Sequence, residues 1–375
     1  MGAVEHLKTL CCLGLPPESA MVAATPLLHE IIPHGWTRIG LLHSDATVGS
    51  TYFEHPGTPA LYRERIWQFM NDRTSPLSLW IPSFRAVGIG WSLHMQGRGW
   101  LESGWYKEIE APLDACWMLG AMIGDNGKTI AHLALTRPRS ARPFTVDDVR
   151  RLDPLRPWLG HALRDRPSDA PEARNLGVMA GAPVVGGQMI FTSGQKIVFQ
   201  TTGIEDLLGV LSGKPGDYTR RVSTQDRLPA PVLKLLNRLK GAATGDSQIP
   251  PRMQITTPFG VVGLEARWLV PAGTVPADAA KHANDCLIAV TIELREHAVA
   301  HAARVLRESG ATPAQLKVGI ELALGKPKPA IATELGLKLS TVADLTRKLY
   351  QTLQIHNSAE LGTKLWLAQP QSLFT

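Results

Sequence analysis

The chain has little of what marks an enzyme, a secreted protein or a membrane protein. No apolar run approaches the roughly twenty residues of a membrane-spanning helix, so no such helix is expected. Cysteine occurs four times, at Cys11, Cys12, Cys116 and Cys286, with neither metal-ligand spacing nor an even disulfide framework. Reduced thiols in a cytoplasm follow from that. The vicinal Cys11 and Cys12 read either as a redox pair or as two small buried residues of an N-terminal helix. The opening residues, Met1 to Leu15, lack a basic flank and a small-residue cleavage site, so export is not expected. A Gly-rich phosphate loop before a helix, His-Glu-x-x-His, paired Cys-x-x-Cys and Gly-x-Ser-x-Gly are all missing. So is the acidic pair that would follow the first strand of a phosphorylated receiver. No catalytic residue, resident cofactor or metal is therefore expected. His297 and His301 stand four apart on one helix, but no third ligand is near them in sequence.

What is present is globular and basic. Hydrophobic residues make up 44% of the 375 residues and charged ones 19%, with a net charge of +6 and a pI near 9.2, which fits a nucleic-acid partner. That length suits two or three domains. The polar, proline-containing stretch 164–174 (RDRPSDAPEAR) is the clearest linker.

The last sixty or so residues carry the sharpest pattern. Thr312, Pro313 and Gln315 form an N-cap, a first-turn proline and a capping-box partner, and Gly325 stands where a left-handed helix end is wanted. Lys326-Pro327-Lys328-Pro329 makes a turn into a short helix, 330–335, closed by Gly336. Ser340 then caps a helix whose Val342, Leu345, Leu349 and Leu353 recur at intervals of three and four. Its other side carries Thr341, Asp344, Arg347, Lys348 and Gln351. A short helix, a tight turn and a second helix with an apolar back and a polar front is the geometry that lays a recognition helix in the major groove.

Residues 311–365 resemble the DNA-binding domain of LuxR/FixJ-type transcription regulators, a four-helix module. The matches are Thr312, Gly325, Ile331, Ala332, Leu335, Thr341, Val342, Leu353, Ile355, Asn357, Ala359 and Leu361, mostly packing and capping positions. Gln315, Ala330, Ala314, Leu345, Thr352 and Ser358 depart from the usual pattern. The resemblance implies double-stranded DNA as partner, bound by a homodimer through Lys328, Lys338, Ser340, Thr341, Val342, Asp344, Arg347 and Lys348. Residues 311–375 hold seven basic and four acidic side chains, a surplus of three, which predicts modest affinity per subunit. Asp344 either accepts from a cytosine or tempers non-specific binding.

Upstream, residues 175–295 read as strand, strand, helices, then three strands. Hairpins are expected around Ser193-Gly194-Gln195 and Pro258-Phe259-Gly260, and short helices at Ile204–Gly209 and Val232–Leu239. This order resembles a PAS domain, which implies either a sensor or a cofactor-free dimerisation and relay domain. A connecting helix over 296–310, rich in Ala and Val, reads as a transmission rod or a dimer seam.

Residues 1–163 read as a helix over Glu18–Ile32, a strand at Thr37–His43, a helix around Pro59–Asn71, strands at Tyr106–Ala111, Ala115–Ile123 and Thr129–Thr136, and closing helices capped at Thr145. The turn at Gly124–Gly127 with the Phe144-Thr145 start of the last helices resembles the end of a GAF-type sensory domain. Eight of the ten tryptophans lie in this region. They are either ordinary anchors or the walls of a pocket for an apolar or aromatic effector, with Trp67, Trp80, Phe84, Arg85, Trp91, His94, Trp105 and Trp117 as lining residues. The expected architecture is multidomain α+β. A GAF-like domain (1–163) and a PAS-like domain (175–295), both α/β and sensory, lead through the linker and connecting helix to an all-α four-helix LuxR-type domain. The expected function is a cytoplasmic, ligand-responsive bacterial transcription regulator, nucleoid-associated when DNA-bound. The alternative is a sensory or scaffold protein whose last module serves dimerisation or protein contact.

Overall fold

Leu7, Leu10 and Cys11 fall on one side of the first helix, α1 (Ala3–Cys11), and are buried against α2 (Pro17–Ile31), whose first-turn Pro17 needs no N–H partner. The computed structural model that reveals this packing describes residues 2–42, 48–54, 89–91, 99–104, 106–125, 127–164, 183–202, 204–212, 228–244, 250–257, 259–269 and 286–367. Two units make up the chain. One is discontinuous, residues 1–182 with 297–375, and the other, Pro183–Glu296, is inserted between its halves. The chain is mixed α/β, with two sheets and a helical C-terminal region. Among the described residues, no helix is long and apolar enough to cross a membrane.

In the discontinuous unit, α1 and α2 lead to β1 (Trp36–Leu42), β2 (Val48–Phe53), β3 (Ile89–Trp91), β4 (Trp117–Asp125) and β5 (Lys128–Arg137). They form one antiparallel sheet in the order β2-β1-β5-β4-β3. Ile39, Leu133, Ala121, Leu135 and Leu119 alternate onto one face, which packs under α1, α2, α3 (Val146–Leu152) and α4 (Arg156–Leu163). The expected helix at 59–71 lies outside the described residues. The strand expected at Tyr106–Ala111 is instead a helical turn, Tyr106–Glu110, running into a 3-10 turn at Ala111–Leu113. Pro112 has no N–H to give a ladder, and Asp114 closes the turn at a left-handed φ of 53°. Helix α3 begins at the expected Thr145 cap, a capping box with Asp148. The Asp148 carboxylate also takes both nitrogens of the Arg137 fork at 3.2 Å, and Arg137 lies over the Phe144 ring. Gly160 lets α4 press onto the β4–β5 turn, since a Cβ there would stand 2.2 Å from the Gly124 carbonyl oxygen.

The inserted unit contains β6 (Pro183–Thr192), β7 (Ile197–Gln200), α5 (Ile204–Ser212), α6 (Ala230–Thr244), β8 (Arg252–Thr257), β9 (Gly260–Leu269) and β10 (Leu287–Arg295). Both expected hairpins form, the first with Gln195 at a left-handed φ of 68° and the second with Gly260 opening β9. Strand order is β7-β6-β10-β9-β8, so in chain order both sheets run second, first, fifth, fourth, third. Residues Met189, Phe191, Val262, Leu264, Ile288 and Val290 meet Leu207, Leu208, Leu235 and Leu236 of the two helices in a separate core.

Five helices finish the chain: α7 (Ala298–Glu308), α8 (Pro313–Ala323), α9 (Lys328–Leu335), α10 (Leu339–Leu353) and α11 (Ser358–Leu367). Thr312 and Gln315 form the expected capping box, and Gly325 and Gly336 take the left-handed conformation expected of them. Helix α7 is no free rod or seam. Ala298 to Ala303, Val305 and Leu306 are buried, the Nε2 edge of His301 meets the Leu365 carbonyl at 2.7 Å, and Arg307 pairs with Glu30 of α2. A helix apolar on most of its circumference belongs inside a core. That core is shared: residues of α1 and α2 cluster with those of α7, α8, α10 and α11, and the His6 ring lies 3.1 Å from the Ala311 carbonyl.

Candidate functional site

Two surfaces of the discontinuous unit combine chemistry with position. The first is the α9–α10 pair. Gly336, at φ 63°, reverses the chain, and the Leu337 N–H bonds the Ala332 carbonyl at 2.8 Å to fix the turn. Ile331 and Ala332 of α9 and Val342, Leu349 and Leu353 of α10 are buried in the shared core. Lys328, Lys338, Ser340, Thr341, Arg347 and Lys348 are exposed. Val342 is the correction among the expected contact residues, because a side chain at 0% exposure under the helix reaches no base edge.

Asp344 sits between the two cations of α10. Its carboxylate accepts from Arg347 at 2.7 Å and pairs with the Lys348 ammonium at 2.8 Å. The hydrogen bond from Lys348, then that from Arg347, holds it below the usual carboxylate range. Behind the turn, Lys326 bridges Glu321 and Glu334 at 2.8 Å. Burial opposes its charge, yet the two carboxylates hold Lys326 above its ordinary range. This clamp ties α8 to α9 across the Lys326-Pro327 turn.

The second surface is the sheet face opposite the helices. Register places Arg38, Ala134, Gly120 and Gly90 in one row across β1, β5, β4 and β3. Trp36, Thr136 and Met118 form the row on one side and Gly40, His132 and Met122 the row on the other. The central row thus has one long side chain and three small residues between rows of larger ones, a trough in the sheet that is closed to solvent, since Trp36, Arg38, Met118, Met122, His132, Ala134 and Thr136 are all buried. Arg38 donates to Glu110 at 3.1 Å with both groups buried, and lies 3.6 Å from the Met118 sulfur. Burial, with Arg38 adding to it, pushes His132 down to about 3, so its ring is neutral at physiological pH.

The residues expected to line a pocket are mostly aromatic. Trp67, Trp80, Phe84, Arg85, His94 and Trp105 lie outside the described residues. Trp91 of β3 pairs in register with Leu119 of β4. Trp117 alternates onto the helix-packed face and donates its indole N–H to the Ala141 carbonyl at 3.0 Å, a structural bond. The signal for the trough was one ionisable residue inside each of two apolar strands, Arg38 and His132. Burying such a group costs several kcal/mol unless it has a partner or a purpose. Glu110 had no signal, because the strand assignment for its segment was wrong.

Elsewhere in this unit, His29 near the end of α2, His34 in the following loop and Glu54 after β2 bring their donor atoms within 4.8 Å of one another. The two imidazoles stack at 3.8 Å with 7° between planes. Burial, then His29, pushes His34 down to about 4. Burial works against the charge on Glu54, but the bond to His29 prevails and keeps the carboxyl below its ordinary range. His301, read in sequence beside His297, is committed to the Leu365 carbonyl and to Arg304. Of the vicinal thiols, Cys11 is buried and Cys12 exposed, and burial, with Cys12 adding to it, pushes Cys11 up to about 12. A thiol so held is a poor nucleophile.

No family model matches the chain, and no curated protein does. Among solved structures, the sensor region of a sensor histidine kinase is similar at 12% identity, over 73% of this chain and 90% of that one, with a TM-score of 0.19. A likeness that loose carries no argument.

Proposed function

We propose that this chain is a ligand-responsive, DNA-binding transcription regulator that acts as a homodimer, with GAF-like and PAS-like sensory domains and a LuxR-type helix-turn-helix. The observation that carries the reading is the α9–α10 pair: a Gly336 turn, a buried apolar back and an exposed front holding Lys338, Ser340, Thr341, Arg347 and Lys348. The strand order common to both sheets supports reading them as two sensory domains of related architecture. The competing reading, a scaffold whose last module only dimerises, requires no affinity for nucleic acid.

Asp344 separates the two uses expected of it. Because it binds both neighbouring cations, it lowers the positive potential that phosphates meet, which favours the tempering role. Asp344→Asn frees Arg347 and Lys348, and its affinity for a random duplex at low salt rises several-fold, with a steeper fall as salt is added. Equal binding of the two proteins to random DNA, with a loss confined to one specific duplex, would instead mean that the carboxylate reads a base.

The effector site of this reading is the Arg38–Ala134–Gly120–Gly90 trough. It suits a small molecule with an apolar body and one polar group directed to Arg38 or the neutral His132. A matching compound at a hundred times its dissociation constant adds about 2.7 kcal/mol to stability. A thermal-shift screen of aromatic acids and acyl lactones reads this directly, and Ala134→Phe, which fills the row, abolishes the shift. A shift that persists undiminished in Ala134→Phe would move the effector elsewhere.

A further inference from the structure

We propose that His29, His34 and Glu54 form a binding site for a divalent transition-metal ion, with zinc the best fit. The site goes beyond the regulator reading and does not depend on it. Three separate pieces of chain meet here, the end of α2, the loop before β1 and the residue after β2, so the cluster exists only in the folded unit. The donor set is two imidazoles and a carboxylate. That combination suits zinc and its first-row neighbours, whereas calcium and magnesium take all-oxygen shells.

The surrounding bonds prepare the ligands. The Nδ1 of His34 lies 2.6 Å from the Ile32 carbonyl, an acceptor only, so Nδ1 carries the proton and the lone pair is on Nε2. A metal-bound imidazole is usually held in this way, by its other nitrogen donating to a carbonyl. Nε2 accepts from the Thr37 hydroxyl at 2.7 Å, a bond that the ion replaces. The Thr37 backbone N–H donates to Glu54 Oε2 at 2.7 Å, fixing the carboxylate so that Oε1 faces His29 Nε2 at 2.6 Å. Metal binding replaces the His29 Nε2 to Glu54 Oε1 hydrogen bond and releases its proton to solvent.

Donors around a tetrahedral zinc at about 2.0–2.2 Å stand roughly 3.3 Å apart, so His29 Nε2 and Glu54 Oε1, now 2.6 Å apart, must open slightly, while no ligand atom of the three starts more than 4.8 Å from another. The imidazoles must also turn out of their stack, because one ion cannot lie in both of two parallel planes 3.8 Å apart. Three protein ligands leave the fourth position of the ion for water or a small ligand.

The test uses the full chain, free of any histidine tag and stripped with a chelator, titrated with zinc against a chromophoric competitor and separately with cobalt. A single equivalent binds, and cobalt gives the visible bands of a low-symmetry site with nitrogen and oxygen donors. His29→Ala and His34→Ala each weaken zinc binding by more than the ~10–100-fold that loss of an outer-sphere partner costs. Glu54→Gln, which still accepts from Thr37, also weakens it. Melting temperatures and circular dichroism show whether each variant is folded, and the Glu54→Gln and cobalt results stand where an alanine variant is not. Absence of stoichiometric zinc uptake by the parent chain overturns the proposal, as does uptake that is unchanged in folded His29→Ala and Glu54→Gln.

Discussion

Replacing Arg347 and Lys348 together by alanine is expected to cost most of the duplex affinity. Both cations are more than half exposed on the outer face of α10, and the bonds they make to Asp344 lie along the surface. Each phosphate contact contributes about 0.9 to the slope of log affinity against log salt, so losing two flattens it by about 1.8 per subunit. Affinity at low salt falls by roughly one to two orders of magnitude for specific and random sequences alike. Stability hardly moves, because exposed ion pairs are worth about 0–1 kcal/mol each. Fluorescence anisotropy on a labelled duplex at several salt concentrations measures both quantities. An unchanged slope would leave α10 with no role at DNA and return the module to the scaffold reading.

Asp148→Ala has the largest expected effect on the fold. Its carboxylate neutralises Arg137, whose side chain is only 5% exposed, and it also receives the Thr145 N–H at 2.8 Å to begin α3. Removing it leaves a buried guanidinium without its counter-charge, at about 3–5 kcal/mol, and takes away a helix cap worth about 1 more. Against a total of some 5–15 kcal/mol, that brings the unit close to unfolding. The pH dependence follows from the same pair. Burial raises the Asp148 carboxyl, but the Arg137 bond and then the Thr145 N–H outweigh it and leave it below the ordinary range. A group lowered on folding contributes fully above its unfolded value, about 3.9, and the contribution is lost as pH falls through the folded value. Urea denaturation at neutral pH and at successive values below pH 4 therefore finds the parent chain losing this stability in acid. Asp148→Asn lacks it throughout, so the difference between the two narrows as pH falls. A gap that stays constant down to the lowest pH would remove Asp148 from that account.

The parts of the fold legible in the sequence are those written in short-range chemistry. Thr312 with Gln315, Thr145 with Asp148, and the left-handed Gly325 and Gly336 each specify a helix end within a few residues, and each forms as expected. Turn residues did the same for the two hairpins of the inserted unit. Long-range relations were not legible. Helix α7 reads as an Ala- and Val-rich connector, and only its neighbours reveal that it is a core element. The trough needs a strand register that aligns Arg38 with Ala134 and Gly120, residues almost a hundred positions apart. The His29, His34 and Glu54 cluster has no motif spacing, because a whole hairpin lies between its second and third members. Tryptophan abundance singled out the N-terminal region, yet Trp117 serves there as a structural bond donor.

The discontinuity of the first unit has a consequence for how the chain is made. His6 meets Ala311 across 305 positions, and α1 and α2 find part of their apolar cover only on helices near the C-terminal end. The inserted sheet is complete once β10 has emerged, and its first and last strands pair with each other, Pro183 beside Arg295. Residue 367, the end of α11, follows Glu296 by 71 residues, about 4–14 s of translation at 5–20 residues per second. Vectorial synthesis thus lets the inserted sheet fold first, while the helices that precede it wait for the segment that completes their core.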